Sequence, residues 1–376
     1  MAVRYITVTP VTKLFKPATR SFGDIAIVGV ALDAATGPML VPVPITNPDS
    51  VSHVSGLTAA QGKAVDDVAW FAGDLGASVR KAFQQAPGPT KVWAVRVNPA
   101  QGAPALPNAL AEVAKLEVQI VALANKGLGP GAANQADIEL LAGHVNTVSR
   151  TGSDGRERIG VAMLGKGEIN TDLITGNMRS DRMVMIAHKS NEDAAAAFAG
   201  TIAGYEPHIS ILLKQVKIGM DSTFSDSEID DFNTERVNWL TDPTLLPGKA
   251  FFAGEGYTLG TDIPYIDIIR TIDDISFRLK AALIRSMGDL RVSRSGLRTL
   301  VSQMTAILEP LVQREVIESY VVFMPLLVLL DKSPADLTDA ELQQINNAQN
   351  ERTVEAIVSV DYAGAIHRLN ITLKFV

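Results

Sequence analysis

The chain has 376 residues, of which 47% are hydrophobic and 20% charged, so it is globular rather than disordered and long enough for about two or three domains. A formal net charge of −7 excludes an overall basic field for nucleic acid or anionic lipid, and the absence of cysteine excludes disulfides and thiolate chemistry. No apolar run reaches the roughly 18 residues that span a bilayer, and the opening residues lack a charged stretch followed by an apolar one, so neither a membrane span nor a secretion leader is expected.

Taken in order, residues 2–9 alternate, with Val3, Tyr5 and Thr7 against Arg4, Ile6 and Val8, and predict a strand that Pro10 ends. A connector with Pro17, Ser21 and Gly23 follows. Residues 24–32 are continuously apolar (Ile25, Ala26, Ile27, Val28, Val30), the mark of a central strand covered on both faces. Pro42 and Pro44 confine a strand at 41–46 to a sheet edge. Val68, Phe71, Leu75, Val79 and Phe83 recur at helical spacing and predict a helix over 66–86. Strands at 91–97 and 118–124 then bracket a short helix at 106–115. The alternation continues with a helix at 134–149, strands at 158–164 and 182–187, and an Ala-rich helix at 191–203. Such an order argues an α/β domain with a mostly parallel or mixed sheet.

The acidic stretch 221–231 reads as a solvated loop leading into a helix, 241–248 as a hinge, and 249–258 as an extended return. From Asp262 the texture changes to long helices. Ile272, Ile275, Leu279, Ala282 and Leu283 line one face of the first, and the second starts after Ser293 or Ser295, with Pro310 expected to bend or end it. A buried strand is expected over 320–330, then a short helix near Ser333 and Thr338, and a polar loop at 346–350. Near the C-terminus Val354, Ala356, Val358 and Val360 alternate with polar or exposed-side neighbours, and after Gly364 the residues Leu369, Ile371, Leu373 and Phe375 alternate with Arg368, Asn370, Thr372 and Lys374. This is a two-strand ribbon, marginal by itself in water. It either joins its own domain's sheet or pairs with the sheet of another molecule.

Catalytic constellations are missing. The five histidines (His53, His144, His188, His208, His367) show no helical metal-binding spacing. Gly165-Lys166-Gly167 follows a strand but lacks the spacing of a phosphate loop, Gly29 opens no dinucleotide fingerprint, no serine sits in a Gly-x-Ser-x-Gly elbow, and the acidic run lacks calcium-loop spacing. No cofactor and no metal is expected. Charge is asymmetric, however. Over 270–300, seven cations (Arg270, Arg278, Lys280, Arg285, Arg291, Arg294, Arg298) face three anions. This is either a surface for an acidic partner or a solvated helix face. Nucleic acid fits less well, because aromatic residues are not interleaved.

Three stretches carry a family resemblance. Ile25-Ala26-Ile27-Val28-Gly29-Val30-Ala31 with Gly37-Pro38 and Val43-Pro44-Ile45-Thr46-Asn47 is one, and the helix at 75–83 followed by Val92-Trp93-Ala94-Val95-Arg96-Val97 is the second. The third is Tyr265-Ile266-Asp267-Ile268-Ile269-Arg270 before a long helix, where the Arg would end a strand. Together they resemble the sheath proteins of contractile tails, found in phage tails, phage-tail-like bacteriocins and extracellular contractile injection systems, with Trp93 in place of the family's tyrosine. The resemblance implies an N-terminal strand and arm at 1–22, an outer α/β domain at 23–250, and an inner, tube-facing and polymerisation domain at 251–376 whose sheet is completed by terminal strands of neighbouring subunits. The inter-subunit strands would carry Val3, Tyr5, Thr7, Val354, Val358, Leu369, Ile371, Leu373 and Phe375, and the tube-facing basic surface Arg278, Arg285, Arg291, Arg294 and Arg298. It also implies a structural subunit, not an enzyme. Its partners would be further copies in stacked rings, an inner tube protein, and baseplate and terminal cap proteins, without nucleic acid or membrane insertion. The particle would be assembled in the cytoplasm of the producing cell. The competing readings are an α/β enzyme with a small-molecule site near 125–131 or 165–167, and an adhesin-like surface module.

Overall fold

Asp24–Val30 forms strand β1, whose apolar run is continuous because alternate side chains enter two different cores. Ile25 and Ile27 pack into one and Ala26 and Val28 into the other. The structure, a computed structural model, describes residues 21–31, 38–46, 73–97, 105–130, 134–151, 155–243, 245, 250–286 and 288–367. Strands β2 (Val43–Ile45), β3 (Lys91–Val97), β4 (Ile120–Leu128), β5 (Ile159–Leu164), β6 (Met183–Ala187), β7 (Gln215–Val216), β8 (Asn238–Thr241) and β9 (Phe251–Ala253) complete the sheet, in the order β2-β3-β1-β4-β5-β6-β8-β9-β7. Pairing is parallel from β3 through β8 and antiparallel at the flanks. The Pro-bearing β2 is an edge strand, as its prolines require.

Helices α1 (Asp74–Phe83) and α4 (Ala194–Gly204) cover one face, and α2 (Ala105–Val113), α3 (Gln135–Thr151) and α5 (Asp226–Glu235) the other. Contact between α1 and α4 depends on glycine. A Cβ on Gly200 would lie 2.4 Å from the Ala82 carbonyl oxygen, and one on Gly204 2.2 Å from that of Pro87. Asp193 caps α4 by accepting the Ala196 amide, and Ser225 with Glu228 forms a reciprocal capping box on α5. The acidic stretch is thus a loop up to the Ser225 cap and helical from Asp226 onward.

The described residues fall into two units, one of 21–274 with 364–367 and one of 275–363. The sequence reading divides the chain at 250/251, but 251–253 belong to the larger unit because β9 pairs with β8 and β7. Residues 266–270, expected to be extended, are the first turns of α6 (Ile266–Leu283). Ile266 and Ile269, three apart, both enter the core, which is helical spacing. Arg270 is buried in that helix and donates to the Tyr205 carbonyl at 3.0 Å and the Phe22 carbonyl at 3.2 Å. Burial lowers its pKa to about 10 against the opposing pull of Asp274, Asp267 and Asp273, so it stays charged at neutral pH.

In the smaller unit, Ser293 caps α7 (Arg294–Gln313), which runs on past Pro310 to its last turn. It leads to β10 (Ile317–Phe323), α8 (Pro325–Asp331), α9 (Asp339–Glu351) and β11 (Ile357–Tyr362). The strand expected over 320–330 ends at Phe323, because Pro325 sits in the first turn of α8 with its missing amide at no cost. The predicted polar loop at 346–350 is the C-terminal part of α9. That helix is nucleated by the Thr338–Glu341 capping box and buries Ile345. Lys332, then the Thr338 amide and hydroxyl, hold Glu341 down to about 2.

Arg158 is fully buried in the larger unit. Its guanidinium donates to the Val113 and Leu116 carbonyls at 2.9 Å each, closing the C-terminal end of α2, and lies 3.5 Å from His144 Nε2. Burial, and after it the Arg158 charge, push His144 down to about 4. The unfolded chain thus takes up a proton near the ordinary histidine value that the folded chain refuses. Stability from this pair is complete above about pH 6.5 and is lost as pH falls toward 4, by at most about 3 kcal/mol. In His144→Leu that part of the acid limb is expected to flatten, as urea unfolding between pH 4.5 and 7.5 would show. A slope equal to that of the parent chain would refute the assignment.

Candidate assembly interface

Strands β10 and β11 pair antiparallel, with Phe323 opposite Ile357, Val322 opposite Val358 and Tyr320 opposite Val360. Tyr320, Val322, Val358 and Val360 turn inward onto a core of Ile275, Leu308, Leu311 and Ile317, as the period of two demands. Outward, Val321, Phe323 and Ile357 stay 60%, 46% and 45% exposed. The sheet has two strands among the described residues, so each presents one unpaired edge. The strand carrying Val358 pairs on one edge within its own unit, with β10, and Val354 precedes it and packs near Met324 and Leu297. Both face inward, so the two side chains serve their own unit's cores. Val3, Tyr5, Thr7, Leu369, Ile371, Leu373 and Phe375 lie outside the described residues.

The five predicted arginines are not equivalent. Arg294 and Arg298 meet on one carboxylate, Asp331, at 3.1 and 3.0 Å, and Arg294 also donates to the Leu330 carbonyl. Arg278 is half-buried on α6 and already engaged. Arg285 and Arg291 stand exposed in the turn joining α6 to α7, beside an Ile284 that is 69% exposed. Among the described residues neither holds an ion pair, so the free charge of the basic surface narrows to this turn.

At the carboxyl ends of β4, β5 and β6 lies a cleft of about 320 Å³ lined by Asn125, Gly127, Lys166, His188, Asn191 and Glu192, where the enzyme reading places its site. Its polar groups are committed to structure. Lys166 Nζ donates to Asn191 and Asp221 at 2.8 Å each. His188 Nε2 donates to the Leu164 carbonyl at 3.0 Å while Nδ1 accepts the Ser190 amide at 3.2 Å, and burial lowers its pKa, so the ring is a neutral strut. Glu192 is held by Lys81 and the Gly219 amide. Asp193, pushed up by burial, accepts from Ser78, Ala196 and Asn125. Among the described residues no cluster of three metal-ligating side chains occurs, and no helix is long and apolar enough to cross a membrane.

No family model and no curated protein matches the sequence. Solved structures do. The sheath of the extracellular contractile injection system PVC in its contracted state matches with a TM-score of 0.65 at 12% identity, over 100% of this chain and 98% of that one. The helical sheath of the anti-feeding prophage, also contracted, matches at 0.63 and 14%, over 98% and 99%. A sheath tail protein from Desulfitobacterium hafniense matches at 0.58 and 10%, over 85% and 92%. With two contracted sheaths matched from end to end, the chain has the fold of the contractile sheath proteins.

Proposed function

We propose that this protein is the structural subunit of a contractile sheath, which polymerises helically around an inner tube and shortens to drive the tube through a target envelope. The observation that supports it most is the end-to-end likeness to contracted sheath chains, over 98% or more of both partners in two cases. The two open edges of the β10–β11 sheet supply the physical means. Strands from neighbouring copies add there through main-chain hydrogen bonds, which persist while side-chain contacts elsewhere are exchanged. On this reading the terminal strands at 1–9 and 368–376 are the donors, the unit of 275–363 faces the tube, the larger α/β unit faces outward, and baseplate and cap proteins close the polymer's ends. The particle is assembled in the cytoplasm of the producing cell. A helical array that stores its energy in two lattice states needs no nucleotide site.

The tube contact is assigned to Arg285 and Arg291, the exposed cations of the α6–α7 turn. Electron microscopy of the chain produced with its small tube protein tests both levels. Sheathed tubes are expected from the parent chain, and sheaths that shed or lack the tube from the double variant Arg285→Glu, Arg291→Glu. A chain that stays monomeric at high concentration and makes no tubes would overturn the sheath assignment. Double-variant sheaths that hold the tube as tightly as the parent would overturn only the arginine contact.

A further inference from the structure

Beyond β11 the chain returns to the larger unit, and one side chain of that return is buried. Ile366 is 81% exposed, whereas the next residue, His367, keeps only 11% of its side chain in solvent. Its Nδ1 lies 2.7 Å from Glu255 Oε2, itself 7% exposed, and its Nε2 lies 2.9 Å from Ser210 Oγ. The ring packs edge-on against Tyr265 at 4.7 Å between centroids, and Tyr265 rests on Tyr257 at 5.4 Å. Ser210 Oγ also accepts the Leu212 amide at 3.2 Å, which holds it as a turn residue rather than as a free nucleophile.

These partners come from three separate connections: Ser210 between α4 and β7, Glu255 just after β9, and Tyr265 just before α6. All three are rooted in the large sheet or its covering helices. A buried imidazole–carboxylate hydrogen bond is shorter and stronger than one between neutral groups, and losing either partner strands the other in a poorly solvated place. The stretch 363–367 carries no secondary structure of its own. His367 is thus the point at which it is fastened.

We propose that His367 is the anchor of the segment that follows it: pull on residues 368–376 passes through Glu255 and Ser210 into the large sheet instead of through the unit of 275–363. The inference rests on the sheath assignment, and adds to it the place where the exchanged strand transfers load. His367 acts as a positioning residue, and it does so through Glu255 and Ser210.

The test uses full-length His367→Ala, Glu255→Ala and Ser210→Ala chains, each produced with the tube protein. As isolated chains His367→Ala and Glu255→Ala are expected to stay folded and to melt somewhat below the parent, since each strands a buried partner, while deuterium exchange in the 363–367 peptide rises at least tenfold for these two and less for Ser210→Ala. Yields of sheathed tubes should fall in the same order, by tenfold or more for the first two. His367→Asn, whose Nδ2 takes the place of Nδ1 toward Glu255, should restore most of the yield, which a general packing defect would not predict. Parent-level tube yields from His367→Ala and Glu255→Ala would overturn the anchor, whether or not exchange quickens. If His367→Ala fails to fold, parent-level exchange and yield in Ser210→Ala would overturn it. A parent chain that forms no tubes would overturn the sheath assignment and the anchor with it.

Discussion

Removing residues 369–376 is expected to abolish tube formation while leaving the far-ultraviolet circular dichroism and the melting of the larger unit intact. The deleted residues contain the alternating Leu369, Ile371, Leu373 and Phe375, whose partner in the proposed lattice is an open edge of the β10–β11 sheet. A strand of eight residues adds roughly eight main-chain bonds to one edge, two from each of about four edge-facing residues, each contributing ~1 kcal/mol net and offset in large part by the entropy of ordering the strand. That is modest for one link, but every subunit loses the same link, and a polymer held by such links does not form. Sedimentation and negative-stain microscopy of the shortened chain would settle the matter. Ordinary tubes would show that the edge is filled by something else.

The largest loss of stability is expected at Arg158. Arg158→Ala removes a buried cation from two carbonyl oxygens: that of Val113 keeps only the Leu116 amide, and that of Leu116 loses the guanidinium that meets it. Hydrogen bonds to a charged group contribute about 1.5–3 kcal/mol each, so the expected loss is on the order of 3–5 kcal/mol, comparable to much of a typical domain's stability. Arg158→Lys should recover little, since an ammonium on a flexible stem does not reproduce the planar fork that meets both carbonyls. Calorimetry of the isolated chain is the measurement. A fall of less than about 1 kcal/mol would mean that α2 is closed by other means.

Much of the larger unit is legible because strands buried on both faces announce themselves. The expected elements at 91–97, 134–149, 158–164 and 182–187 are observed within two residues of their predicted bounds. Legibility fails where local composition and tertiary demand disagree. The apolar residues of 320–330 were one run by composition, yet Pro325 divides them into a strand and a helix. Ile266–Arg270 carries enough β-branched residues to read as extended, and only its packing shows the helical spacing of Ile266 and Ile269. The polar 346–350 stretch lacks an apolar face of any width, and its helix comes from the cap at Thr338 and the single buried Ile345. Among functional groups, the charge excess over 270–300 was visible, but the shared Asp331 that neutralises Arg294 and Arg298 was not. His367 and its partners lie 112 and 157 residues apart in sequence, so no spacing rule reaches them.

The outward side of β10–β11 also bears on the life of the chain before any particle exists. Val321, Phe323 and Ile357 lie beside bare strand edges, a combination that invites indiscriminate stacking into fibrils, and Glu318 and Asp361 are the exposed carboxylates on the same two strands. On the proposed function, like charge at these positions would oppose contact between stray copies until a better-matched neighbour is offered. In the proposed sheath, growth would thereby wait for the moment a template is ready.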